Sequence, residues 1–135
     1  MQSDDGSTKC IIVIGGLTDE GPDEKVLRTS EILDLENREW VQGPELPLGL
    51  ENSACIAIPP TYDFACVVVG GWSEEETEEG QIHSSNICGL KKSLSEWKVL
   101  GKIKRGRSNH ITLPLSYWLV RLIIGLVSNL IEIEY

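Results

Sequence analysis

The chain has 135 residues, 12 Lys and Arg against 21 Asp and Glu for a formal net charge of −9, and 41% apolar residues. That length leaves room for one domain, and the apolar fraction excludes a disordered chain. The acidic balance argues against nucleic acid as a partner, since phosphates need clustered Lys and Arg, and it weakly favours a basic protein partner.

Residues 1–9 form a polar N-terminal segment; Met1-Gln2-Ser3-Asp4-Asp5 has no apolar core and does not read as a signal peptide. A first strand is expected over 10–15, where Ile11-Ile12-Val13-Ile14 runs into Gly15-Gly16. An acidic loop over 17–28 carries Asp19, Glu20, Asp23 and Glu24 and leads to a strand over 29–35, then Trp40, then a turn over 42–52. A strand is expected over 53–58, where Ser53 to Ile58 alternates weakly as a half-buried strand does, and another over 65–70, where the β-branched run Ala65 to Val69 ends in Gly70-Gly71. The loop over 72–83 holds Glu74, Glu75, Glu76, Glu78 and Glu79. Strands are expected at 84–90 and 95–99, joined by a tight Lys91-to-Ser95 connection, and are followed by a basic turn of Lys102, Lys104, Arg105 and Arg107. Further strands are expected over 109–115, 121–125 and 130–135. No apolar period of 3.6 residues persists over three turns, so no helix is expected.

The order of these elements repeats. Gly15 and Gly70 stand 55 residues apart, and Gly125, at the end of Leu122-Ile123-Ile124, stands a further 55 on. Ser30-Glu31-Ile32-Leu33-Asp34-Leu35 aligns at the same spacing with Ser85-Asn86-Ile87-Cys88-Gly89-Leu90. Trp40 precedes Gly49 by nine residues and Asn52 by twelve, as Trp97 precedes Gly106 and Asn109. Such a period signals units that bury their apolar faces by stacking on their neighbours. The units run over 10–52 and 53–107, with a partial third over 108–135, each complete unit reading as four short strands.

An apolar strand ending in Gly-Gly, a Glu-apolar-x-Asp strand, a Trp and a Gly-rich turn together resemble the kelch repeat, the unit of one class of β-propellers. The likeness spans about residues 10–135. It departs from the family where Leu33 and Cys88 take the slot usually held by Tyr, and where Gly125-Leu126 replaces a Gly pair. It implies an all-β fold of four-stranded antiparallel kelch-like propeller blades in an incomplete, open array, because closed propellers take 4–8 blades. The chain is then a fragment, a truncated product, or an arc needing further blades or other chains to close a ring. Gly15, Gly16, Gly70 and Gly71 would be the structural glycines of the repeat. Trp40 and Trp97 would pack between blades, each burying on the order of 200 Å². The family commonly presents its loops as a protein-binding face. That implies a non-catalytic scaffold: the substrate-recognition part of a ubiquitin-ligase adaptor, or an actin-associated protein. A fragment of a kelch-fold enzyme, such as a galactose-oxidase-like copper oxidase, is the alternative.

The residues offer little chemistry. His83 and His110 have no repeat-related partner, and neither Gly pair opens a phosphate-binding loop, so no catalytic residue, cofactor or metal is assigned. Cys10, Cys55, Cys66 and Cys88 form no C-x-x-C pair and fall in or beside expected strands, where free Cys behaves as a small buried hydrophobe. With no Asn-x-Ser/Thr acceptor, this points to a reducing, cytoplasmic setting, without separating cytoplasm from nucleus. Residues 113–133 are apolar enough to read as a membrane anchor, but Arg121 and Glu132 are costly in lipid, and the repeat register accounts for the segment without a membrane.

Both long loops leave a glycine-ended strand and so belong on one face, with the turns at 42–52 and 100–108. That face would carry an acidic patch at Glu74, Glu75 and Glu76 beside the basic Lys104, Arg105 and Arg107, and a partner with a basic segment would dock on the acidic part.

Overall fold

The computed structural model describes residues 9–19, 25–74 and 83–115. Among them there are strands and no helix. A three-stranded sheet is built from β1 (Cys10–Ile14), β4 (Ser30–Asp34) and β5 (Glu39–Gln42), in the order β1-β4-β5. Between β1 and β4 a two-residue ladder pairs β2 (Leu17–Thr18) with β3 (Lys25–Val26). A four-stranded sheet follows, in the order β6-β7-β8-β9, from β6 (Ala54–Ala57), β7 (Phe64–Val69), β8 (Asn86–Lys91) and β9 (Trp97–Lys102). Every pairing is antiparallel.

Alternation assigns the faces. In β1, Ile12 and Ile14 pack against the core, whereas Ile11 and Val13 are exposed. In the second sheet, cross-strand pairing aligns Val68 with Cys88 and Cys66 with Leu90, which in turn opposes Trp97. All five are buried in one cluster facing Ile12 and Ile14. The two sheets are therefore stacked, with the back of the first on the front of the second.

The connector between the sheets fills the space between them. Leu46, Leu48 and Leu50 alternate along it, and all three belong to the core. Burying each contributes roughly 1.5–3 kcal/mol relative to exposure. The Pro44 carbonyl accepts hydrogen bonds from Ser30 Oγ at 2.7 Å and Trp97 Nε1 at 3.1 Å, so one oxygen ties both sheets. The stretch expected as a turn over 42–52 is thus a packing element. Its proline-rich sequence keeps it out of a ladder while the alternate leucines point inward.

The two units share one backbone plan. Gly15 and Gly16 have φ of 59° and 102°, and Gly70 and Gly71 have 62° and 109°. The Gly15 amide donates to the Thr29 carbonyl, and the Gly70 amide to that of Asn86. Gly16 and Gly71 donate to Leu50 and Arg107, and Leu27 and Ser84 donate back to Gly16 and Gly71. The Leu17–Val26 pair recurs as an isolated pairing of Trp72 with His83. These correspondences correct the sequence register. Ile12 opposes Ile32, and its counterpart Val67 opposes Gly89. Beyond the long loop the units are therefore offset by 57 residues, as the tryptophans are, and not by 55. The second loop is two residues longer. Because side chains alternate with period two, that shift preserves every face, and it matches Leu33 with Leu90 rather than with Cys88.

Other expectations change. The first sheet shows three strands rather than four among the described residues. Glu39–Gln42 is a strand that the sequence reading left out, and β9 extends to Lys102. Residues 109–115 form no strand: Ile111, Leu113 and Leu115 are exposed, and no ladder partner faces them among the described residues. The strands expected at 121–125 and 130–135, and most of the apolar segment over 113–133, lie outside the described residues. Cys66 and Cys88 are buried as expected, but Cys55 is exposed on the edge strand β6 and Cys10 is only half-buried.

Candidate protein-binding surface

The glycine pairs set the geometry of one end of the stack. A Cβ at Gly15 would run into the Leu50 carbonyl, and one at Gly70 into the Arg107 carbonyl. With their left-handed φ, this lets the chain leave the strand abruptly while the connector closes over the turn. Asn52 and Asn109, with φ of 51° and 53°, lie just beyond those connectors, and the Asn109 amide donates to the Asn52 carbonyl at 2.9 Å. Asn accepts the left-handed region more readily than most side chains, which explains the shared twelve-residue interval after each Trp.

Hydrogen bonds stitch the loops to the connectors at this end. The Trp72 and Glu51 backbones exchange hydrogen bonds at 2.7 and 2.9 Å. The His83 ring nitrogen Nδ1 lies 3.1 Å from Ser108 Oγ. The Arg107 amide donates to the Ser84 carbonyl at 3.3 Å, and its carbonyl accepts from Gly71 at 2.8 Å. The basic turn is therefore fastened to the strand exit from which the acidic loop departs. Glu74, Lys104, Arg105 and Arg107 are all exposed, and this stitching brings them to the same end. Glu75 and Glu76 lie outside the described residues. Arg105 and Arg107 occupy the positions that Leu48 and Leu50 hold in the first unit, so one connector is apolar and buried while its counterpart is charged and exposed. In the first unit, Arg28 instead braces the buried connector, donating to the Leu46 and Pro47 carbonyls at 3.1 and 2.7 Å.

The tryptophans part company. Trp97 is 7% exposed and bonded to Pro44. Trp40, expected to be buried in the same way, is 53% exposed. The reason lies in the stacking: the front of the second sheet is covered by the first, but no sheet covers the front of the first among the described residues. That front carries Ile11, Val13, Leu33 and Trp40, the counterparts of the buried Cys66, Val68, Leu90 and Trp97. Beside it an open depression of about 380 Å³ is lined by Thr29, Glu31, Trp40, Val41 and Gln42.

No family model matches this chain, and no curated protein is similar to it. No group of three or more His, Cys, Asp or Glu among the described residues could hold a metal ion. No described helix is long and apolar enough to cross a membrane. Sequence reasoning missed the leucine connector and the inequality of the two tryptophans. The Leu46-x-Leu48-x-Leu50 alternation could have revealed the first. The second needed the stacking direction.

Proposed function

We propose that this chain is a non-catalytic protein–protein interaction module, two units of a kelch-type propeller array that serve as the recognition part of a ubiquitin-ligase adaptor or an actin-associated scaffold. One observation carries the reading: a sheet face that is core in the second unit is presented to the outside in the first, with its Trp in place. A surface of this composition is made to be covered by protein. The loop end supplies selectivity. Loops on a strand scaffold are where recognition residues gather, and Glu74, Glu75 and Glu76 offer negative charge to a basic segment, with Lys104, Arg105 and Arg107 excluding a wrongly placed one.

The test is fluorescence anisotropy with Lys/Arg-rich peptides, comparing the native chain with the Glu74→Lys, Glu75→Lys, Glu76→Lys triple variant. Because screening at physiological ionic strength acts over about 8 Å, binding should weaken as salt rises, and charge reversal should slow association more than it speeds release. Equal binding by the triple variant would refute the acidic docking site.

A further inference from the structure

Two of the thiols in the second sheet, one exposed and one in the core, lie side by side. Cys55 lies on the edge strand β6 opposite Val68, and Cys66 lies on β7 opposite Ala57. Residues two apart on a strand share a face, so the two cysteines are diagonal neighbours on one side of the sheet. Cys55 is exposed and Cys66 buried. Each senses the other: contact with the Cys66 thiol holds Cys55 below the ordinary thiol range, while Cys55, burial and the nearby Cys10 push Cys66 up. Cys88, opposite Val68 on β8, is likewise diagonal to Cys66, but it is buried, and burial raises it to about 11. An accessible thiol whose pKa is lowered, beside a buried second thiol, is the arrangement of an attacking and a resolving cysteine.

We propose that Cys55 and Cys66 form a hydroperoxide-responsive pair that closes to a disulfide across β6 and β7. The Cys55 thiolate attacks a hydroperoxide oxygen, the O–O bond breaks, and the alkoxide or hydroxide leaves with a proton as alcohol or water. Cys55 is then a sulfenic acid. The Cys66 sulfur attacks Cys55 sulfur, and the displaced hydroxide takes the Cys66 proton and leaves as water. Both cysteines are oxidised by one electron and the peroxide is reduced by two.

Diagonal neighbours stand about 7–8 Å apart at Cα, just beyond the disulfide range of about 4.4–6.8 Å, so the strands must draw together slightly. Two features allow it. β6 is an edge strand of four residues, and the β7–β8 ladder is interrupted between Phe64 and Cys66.

Peptide mapping of the full chain after hydrogen peroxide treatment tests this. Cleavage at Asp63 separates the two cysteines, and cleavage at Glu74 to Glu76 separates Cys66 from Cys88. The expected product is a Cys55–Cys66 linked peptide, lighter by two hydrogens and restored by dithiothreitol. In Cys66→Ala, dimedone should trap Cys55 as its sulfenic acid; in Cys55→Ser, neither product should form. Iodoacetamide should alkylate Cys55 at least ~10-fold faster than Cys88 in the untreated chain. The native-chain map decides the matter even if Cys66→Ala does not fold. A link from Cys55 to Cys10 or Cys88, a link from Cys66 to Cys10 or Cys88 in place of one to Cys55, bonds only between chains, or Cys55 alkylated no faster than Cys88 would overturn the proposal.

Discussion

Gly15 and Gly70 do the same work with the same backbone angles. Each holds a left-handed φ, and each has a connector carbonyl where a Cβ would stand. Gly15→Ala and Gly70→Ala should therefore each cost more than the roughly 1–2 kcal/mol of left-handed strain, because the facing carbonyl is backbone and cannot turn aside. Gly101 is the control: nothing lies within 4 Å of an added Cβ there, so Gly101→Ala should change stability by about 0.5 kcal/mol or less. Urea midpoints of the three variants check this, and equal midpoints would remove the glycine argument. The sequence showed these glycines by their place at the end of apolar runs. It did not show Leu94, whose φ of 57° places a bulky residue in the left-handed region at the β8–β9 turn. Leu94 packs against the core, which offsets the strain of a backbone conformation that no local pattern announces.

Strands were legible where side-chain periodicity is local. β1, β4, β6, β7 and β8 lie within one or two residues of their expected spans, since β-branched runs bounded by glycine or polar loops leave little choice. The connector was not legible as core. Proline and glycine mark it as a turn, and its burial depends on the second sheet. The two tryptophans test this element directly. Trp97→Ala should cost about 3–5 kcal/mol, as for a large buried aromatic, and would leave the Pro44 carbonyl with Ser30 alone. Trp40→Ala should cost under about 1 kcal/mol, as at a surface position. Equal losses in thermal or urea unfolding would show that Trp40 is covered in solution.

At the scale of the whole molecule, stacking has a direction: a front accepts a back. The contact between the two sheets is thus heterologous, and repeating it builds an array rather than a symmetric pair. The exposed front of the first sheet and the edge of β1 favour association. Light scattering of the native chain should show mass rising with concentration beyond a dimer, and Val13→Asp, on the exposed front, should suppress it while leaving the urea midpoint nearly unchanged. A chain that stays monomeric at all concentrations would count against this. The acidic and basic character of the loop end was legible in the sequence because charge needs no fold to be counted. That Arg107 is fastened to Gly71 was not, because the bond joins backbone groups that any residues would supply.

The oxygen shared by Ser30 and Trp97 also sets a timetable for synthesis. Trp97 follows Pro44 by 53 residues. At about 5–20 residues per second, several seconds separate the emergence of Pro44 from the ribosome and that of the indole that secures it. Through that interval Leu46, Leu48 and Leu50 have emerged without the sheet that will enclose them, so the nascent chain offers a leucine-rich segment to whatever waits at the tunnel exit.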